Sequence, residues 1–188
     1  MSWKFAGIIF KKDYKDYYPD LLKRLEVRYS RSAGGFTFSN AINRENRATA
    51  LGCVNGSTML LDHLIPYDCS YELGGPGRLD KILSPFSLQG DIMNYIIDGV
   101  SETYCFSLFS KGVRIRRWAT ETGHVLCNEG KLVNGEEPAV TNNAMDSFPD
   151  IFAMSEDEIH LFAIWEAFLG VPFQELVQND TPLFHVFI

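Results

Sequence analysis

The side chains of this chain whose types and spacing could do chemistry are few. Glu156 and His160 stand at i and i+4, a spacing that puts a carboxylate and an imidazole on one helical face, where they could share a metal ion. No second H-x-x-x-H or E-x-x-H element supplies further ligands, so the pair reads as a solvated contact on an outer helix face, and no metal or other cofactor is expected. Gly74-Gly75-Pro76-Gly77 has the glycine content of a phosphate loop, but it lacks both the lysine and hydroxyl of G-x-x-x-x-G-K-S/T and the spacing of G-x-G-x-x-G. It reads as a turn. No serine stands in G-x-S-x-G. Cys53, Cys69, Cys105 and Cys127 are far apart with no C-x-x-C pair, which argues against a zinc knuckle or a redox dithiol and makes buried free thiols the expectation. Glu136 and Glu137 are adjacent acids, but they fall in a polar loop where nothing would separate their pKa values for acid–base work. No catalytic residue emerges.

Charge is distributed unevenly. From Trp118 to Ile188 the chain carries twelve Asp and Glu against Lys131 alone, a balance of −11; residues 1–117 hold sixteen Lys and Arg against twelve acids, +4, and the two sum to −7. Such an asymmetry bears on partners and fields and not on fold. The cations Arg114, Arg116 and Arg117 beside Trp118 could meet an anion or stack on a base. Alternating Arg on the solvent face of a strand is also an ordinary protection against edge aggregation, and that is the reading adopted. The acidic net charge disfavours nucleic acid, whose binding is driven by counterion release from a basic surface.

The elements that must position these residues follow from apolar periodicity. Trp3–Phe10 reads as a strand. Tyr14, Tyr17, Tyr18, Leu21, Leu22 and Leu25 share one face of a helix over 16–27, with Asp16 as its cap and Pro19 in its first turn. After Gly34-Gly35, residues 36–38 read as a short strand. Ala50–Val54 and Ser57–Leu61 flank Asn55-Gly56, the signature of a tight hairpin over 48–62. A short helix is expected over 79–83, and a three-stranded meander over 91–118 turns at Asp98-Gly99 and Ser110-Lys111-Gly112; Ile92–Ile97 alone fits either a strand or a helical turn. Residues 120–150 are polar and turn-rich, with Leu132-Val133 as a short strand at most. Ser155 and Glu158 form a capping box for a helix over 155–169, stopped by Gly170 and Pro172, and a turn at 173–177 precedes a terminal strand at 183–188.

With 188 residues, 46% of them hydrophobic, the chain can bury a large core. The expected fold class is α+β: a single domain over 1–188, with a soft boundary near 74–77, and a mainly antiparallel sheet with the helices 16–27 and 155–169 packed on one face. The short apolar run at 5–10 is flanked by Lys4 and by Lys11 and Lys12, too short for a signal peptide or a membrane span, so a cytoplasmic location and no membrane association are expected.

The second half resembles a group of uncharacterised bacterial α+β domains. The residues that carry this likeness are the strand–turn–strand from Thr103 to Gly112 running into Arg116-Arg117, the Gly135-Glu136-Glu137-Pro138 segment, and the helix from Leu161 to Gly170 followed by Val171-Pro172. In style the chain is also similar to bacterial immunity proteins, which neutralise toxins by binding them. That resemblance implies a non-catalytic protein-binding module. Joined to the −11 segment, it leads to the expectation of an acidic C-terminal surface, with Glu136, Glu137, Glu156 and Asp157, that docks a basic protein. The alternative is a small-molecule-binding protein or enzyme with a pocket between helix and sheet, and self-association through exposed aromatic surface is a third reading.

Overall fold

The computed structural model describes residues 3–43, 48–62, 77–136, 154–181 and 183–188. Among these, nine strands form one sheet: β1 (Lys4–Phe10), β2 (Ser32–Phe36), β3 (Thr49–Val54), β4 (Ser57–Leu61), β5 (Ile92–Asp98), β6 (Thr103–Ser110), β7 (Val113–Glu121), β8 (His124–Gly130) and β9 (Phe184–Phe187). Their order is β2-β9-β3-β4-β1-β5-β6-β7-β8, and every pairing is antiparallel. β1 pairs with β4 on one side and β5 on the other, so the hairpin of the first half and the meander of the second share one sheet. The α-helices among the described residues are α1 (Tyr18–Arg24), α2 (Phe38–Ile42), α3 (Arg78–Phe86), α4 (Glu156–Leu169) and α5 (Phe173–Gln178). The fold is α+β.

Tight turns set the register. Asn55-Gly56, Lys111-Gly112 and Thr122-Gly123 each place two successive residues at positive φ, the backbone that two-residue hairpins of matching twist require. Asp98 begins the β5–β6 turn, where its Oδ1 accepts the N–H groups of Val100 and Ser101 at 3.1 and 3.2 Å. Residues 92–97, which periodicity alone left open between strand and helical turn, are strand because they pair along their whole length with both β1 and β6.

The helices do not lie on one face. Phe5 and Ile9 of β1 join the cluster under α2, α4 and α5, whereas Ile8 and Phe10 join the cluster under α1 and α3. The same split recurs at Met59 and Leu61 against Leu60, so α1 and α4 cover opposite faces. Strands apolar on both faces must be covered twice, and consecutive apolar residues such as Ile8-Ile9-Phe10 are the sequence sign of it.

Other expectations are corrected locally. Helix α1 is shorter than 16–27: Asp16 lies in a preceding 3₁₀ turn (Lys15–Tyr17), Tyr17 provides no side-chain cap, and Pro19 is in the first turn. The strand near 36–38 lies earlier, at Ser32–Phe36, because Thr37 Oγ1 accepts the Asn40 N–H at 3.2 Å and starts α2. Residues 124–130, read as loop, form β8, and Leu132-Val133 are not strand. Gly74 to Pro76 and all of 137–150 lie outside the described residues. Helix α4 begins as expected, with Ser155 Oγ accepting the Glu158 N–H at 3.1 Å, and Gly170, at φ 77°, ends it.

Candidate functional site

The arginines of β7 are placed by a bulge. Leu108 of β6 pairs with Arg116, but the next residue, Phe109, pairs with Arg114, so the register shifts by one. Residues opposite one another in an antiparallel ladder share a face. Arg116 therefore joins Phe106, Leu108 and Trp118 beneath α4, while Arg114 turns with Phe109 to the α3 face. The expectation that Arg114 and Arg116 share a solvent face fails for this reason. Arg114 Nη1 meets Asp80 Oδ2 of α3 at 2.6 Å, with Glu129 Oε2 3.8 Å from its Nη2. Arg117 and Trp118 are buried.

Arg116 meets Glu136 there. The two side chains are 1% and 0% exposed, and the guanidinium forks onto the carboxylate: Nε to Oε1 at 3.0 Å and Oε2 at 2.8 Å, Nη2 to Oε1 at 2.5 Å. Nη1 donates to the carbonyls of Arg117 and Glu129 at 3.2 and 2.8 Å, and Glu136 Oε2 also accepts the Val133 N–H at 2.8 Å. With these partners both charges are met, and the group acts as a clasp that draws residues 131–136 down as a strap onto α4. Gly135 makes the fit feasible: at φ 92°, a Cβ there would stand 2.8 Å from the Ala163 carbonyl oxygen. Glu136 is thus not an open-loop acid and does not belong to a docking surface.

His160 completes this cluster and does not sit on the outer helix face. Its ring lies edge-on to Trp118, 4.8 Å between centroids, and its Nε2 is 3.9 Å from Glu136 Oε1. Burial holds its pKa below the ordinary imidazole value, Glu136 and Asp157 pull the other way, and Arg116 reinforces the burial.

Of the other acids read as a surface, Glu156 is exposed and Asp157 half-buried, both in the first turn of α4, where they face the positive end of the helix dipole. Glu137 lies outside the described residues. The structure adds Glu175 and Asp180, both exposed, on and after α5. Glu158 and Glu166 are internal: Glu158 is 2% exposed, and Glu166 Oε1 accepts the Phe173 N–H at 2.7 Å, tying α5 to α4. Burial raises the pKa of both, offset in part by backbone N–H groups of Trp3 and Ser155 for Glu158 and of Phe173 for Glu166. Segment 154–181 as a whole carries Glu156, Asp157, Glu158, Glu166, Glu175 and Asp180 and no Lys or Arg, −6; segments 12–31 and 78–86, which bear α1 and α3 on the other face, carry eight Lys and Arg against five acids, +3. The sheet separates the two layers.

Among the described residues, three of the hollows open to solvent stand out. Two, of about 840 and 800 Å³, flank α1 and share Asp20 and Lys23. The third, about 240 Å³, lies between the C-terminal half of α4, the strap and the sheet. Among the described residues no group of three or more His, Cys, Asp and Glu side chains is placed to hold a metal ion. Cys53, Cys105 and Cys127 are free thiols. Burial and a bond to Asp13 push the Cys53 thiol up, the wrong direction for a nucleophile. No helix among the described residues is long and apolar enough to cross a membrane. No protein-family model matches the chain, and no curated protein or solved structure matches it.

Proposed function

We propose that this chain is a non-catalytic protein-binding module of the immunity or inhibitor type, which docks a basic partner through the outer surface of α4 and α5. The observation that carries this reading is that segment 154–181 has no Lys or Arg and, with Glu158 and Glu166 internal, turns Glu156, Asp157, Glu175 and Asp180 toward solvent, on the opposite side of the sheet from a +3 layer. Such a separation steers a positively charged partner toward one face and fixes the orientation of encounter. Glu156, Asp157, Glu175 and Asp180 are the residues expected to face the partner, in place of Glu136, which the clasp consumes. Docking of this kind requires no cofactor.

The test is affinity capture from native-host lysate, comparing wild type with a variant carrying Glu156→Lys, Asp157→Lys, Glu175→Lys and Asp180→Lys. A stoichiometric basic protein should be retained by wild type at low salt, released as salt shortens the screening length from about 10 Å at 0.1 M toward about 3 Å at 1 M, and not retained by the variant. Retention indifferent to the reversal would remove the electrostatic basis of the proposal.

A further inference from the structure

The hollow of about 240 Å³ beside α4 combines an apolar lining with one cation and one anion at its wall. Ile115, Val133, Ile164 and Phe168 supply apolar surface, and Lys11 and Asp91 the two charges. These two residues continue the β1–β5 ladder beyond Phe10 and Ile92, and the Lys11 N–H donates to the Asp91 carbonyl at 2.8 Å. Alternation from Ile9 and Met93 sends both side chains to the α4 face, and Lys11 Nζ lies 5.5 Å from the centroid of the Phe168 ring. Both are exposed, and neither forms an ion pair with the other or with any other described residue. Two opposite charges stand side by side, each available to a ligand.

The far wall is preformed. The Val133 N–H is held by Glu136 Oε2, Glu136 by Arg116, and Gly135 rests on the backbone of Ala163 and Ile164. The strap therefore keeps Val133 in place against the hollow without a ligand, which lowers the ordering cost of binding. At roughly 30 Å³ per water, the space corresponds to about eight waters, the scale of a small organic molecule.

We infer that this hollow is a binding site for a free apolar α-amino acid of the size of leucine or phenylalanine, its carboxylate on Lys11, its ammonium on Asp91 and its side chain in the apolar part. A simple apolar carboxylate would stand beside the like charge of Asp91 and a simple amine beside that of Lys11, whereas a zwitterion pairs with both.

The experiment is isothermal titration calorimetry of the full chain with L-leucine and L-phenylalanine, and with glycine, phenylacetate and phenethylamine as comparisons. The variants are Lys11→Ala, Asp91→Ala and Ala167→Trp, all at exposed positions, with far-UV circular dichroism confirming that each is folded. Binding of at least one of the two apolar amino acids is expected, with no detectable glycine binding, about tenfold weaker affinity in each alanine variant and loss of binding when the tryptophan fills the hollow. Three results would each overturn the inference: no apolar amino acid bound at millimolar concentration, phenylacetate or phenethylamine bound as tightly as phenylalanine, or affinity unchanged by Ala167→Trp.

Discussion

Replacing Glu136 by glutamine is the sharpest probe of the clasp. The change is nearly isosteric, yet it leaves Arg116 charged at a site where its side chain is 1% exposed, with the partner that accepted three of its N–H···O contacts neutralised. Removing one member of a buried ion pair costs about 3–5 kcal/mol, because the remaining charge keeps its desolvation penalty. Against a typical total of about 5–15 kcal/mol this is a large fraction, and for a chain of this length it corresponds to a fall in Tm of about 6–20 °C. Urea denaturation followed by tryptophan fluorescence, with an unchanged m-value, measures it. The partner variant, Arg116→Met, orphans Glu136 and also removes the donor from the Arg117 and Glu129 carbonyls, about 1–3 kcal/mol for each group left unsatisfied. Arg116→Met combined with Glu136→Leu should be more stable than Arg116→Met alone, since no carboxylate is then stranded among Phe106, Leu108 and Trp118, and with the Glu136→Leu single variant closing the cycle the coupling should be about 0.5–3 kcal/mol. An exposed loop glutamate predicts instead a change within about 0.5 kcal/mol for Glu136→Gln. That outcome, or strict additivity in the cycle, would refute the clasp.

The remaining expectations concern local geometry and pH. Gly135→Ala forces a Cβ toward the Ala163 carbonyl at a φ of 92°, and should cost about 1–3 kcal/mol by thermal unfolding while leaving far-UV circular dichroism unchanged. Gly56→Ala, at φ 71° with open space around it, should cost about 1 kcal/mol, a purely conformational penalty, visible as a lower urea midpoint. Glu158 has its pKa raised by burial, so the folded state binds its proton more tightly than the unfolded state does. Stability from this group is then highest below its unfolded pKa of about 4.3 and falls as pH rises through the raised folded value. Glu158→Gln should accordingly raise the urea midpoint at pH 7 and lose that advantage on acidification; a midpoint lowered at pH 7 would show that the carboxylate is a net stabiliser.

Much of the fold was legible in the sequence where the signal is local. Asn55-Gly56 marks its hairpin because few residue pairs tolerate two positive φ values, and Ser155 with Gly170 brackets α4 because helix ends must satisfy their own backbone groups. β8 was missed because His124 to Gly130 lies at the sheet edge with only Cys127 buried, so nothing in its sequence alternates against a core.

The chain by itself thus determined its tight hairpin turn at Asn55-Gly56, the two ends of α4 and the net charge of residues 1–117 and 118–188, all properties of neighbours along the backbone. Which acids face solvent was a tertiary decision. A one-residue bulge between β6 and β7 sends Arg116 beneath α4 and Arg114 beneath α3, and Glu136, twenty residues from Arg116 in the chain, is drawn inside to meet it. Placement of α1 and α4 on opposite faces was decided in the same way, since strands apolar on both sides require cover on both, and only the assembled sheet shows which helix supplies it. The same assembly brings Lys11 and Asp91 side by side at the mouth of an apolar hollow, eighty residues apart in sequence and adjacent only because β1 and β5 pair.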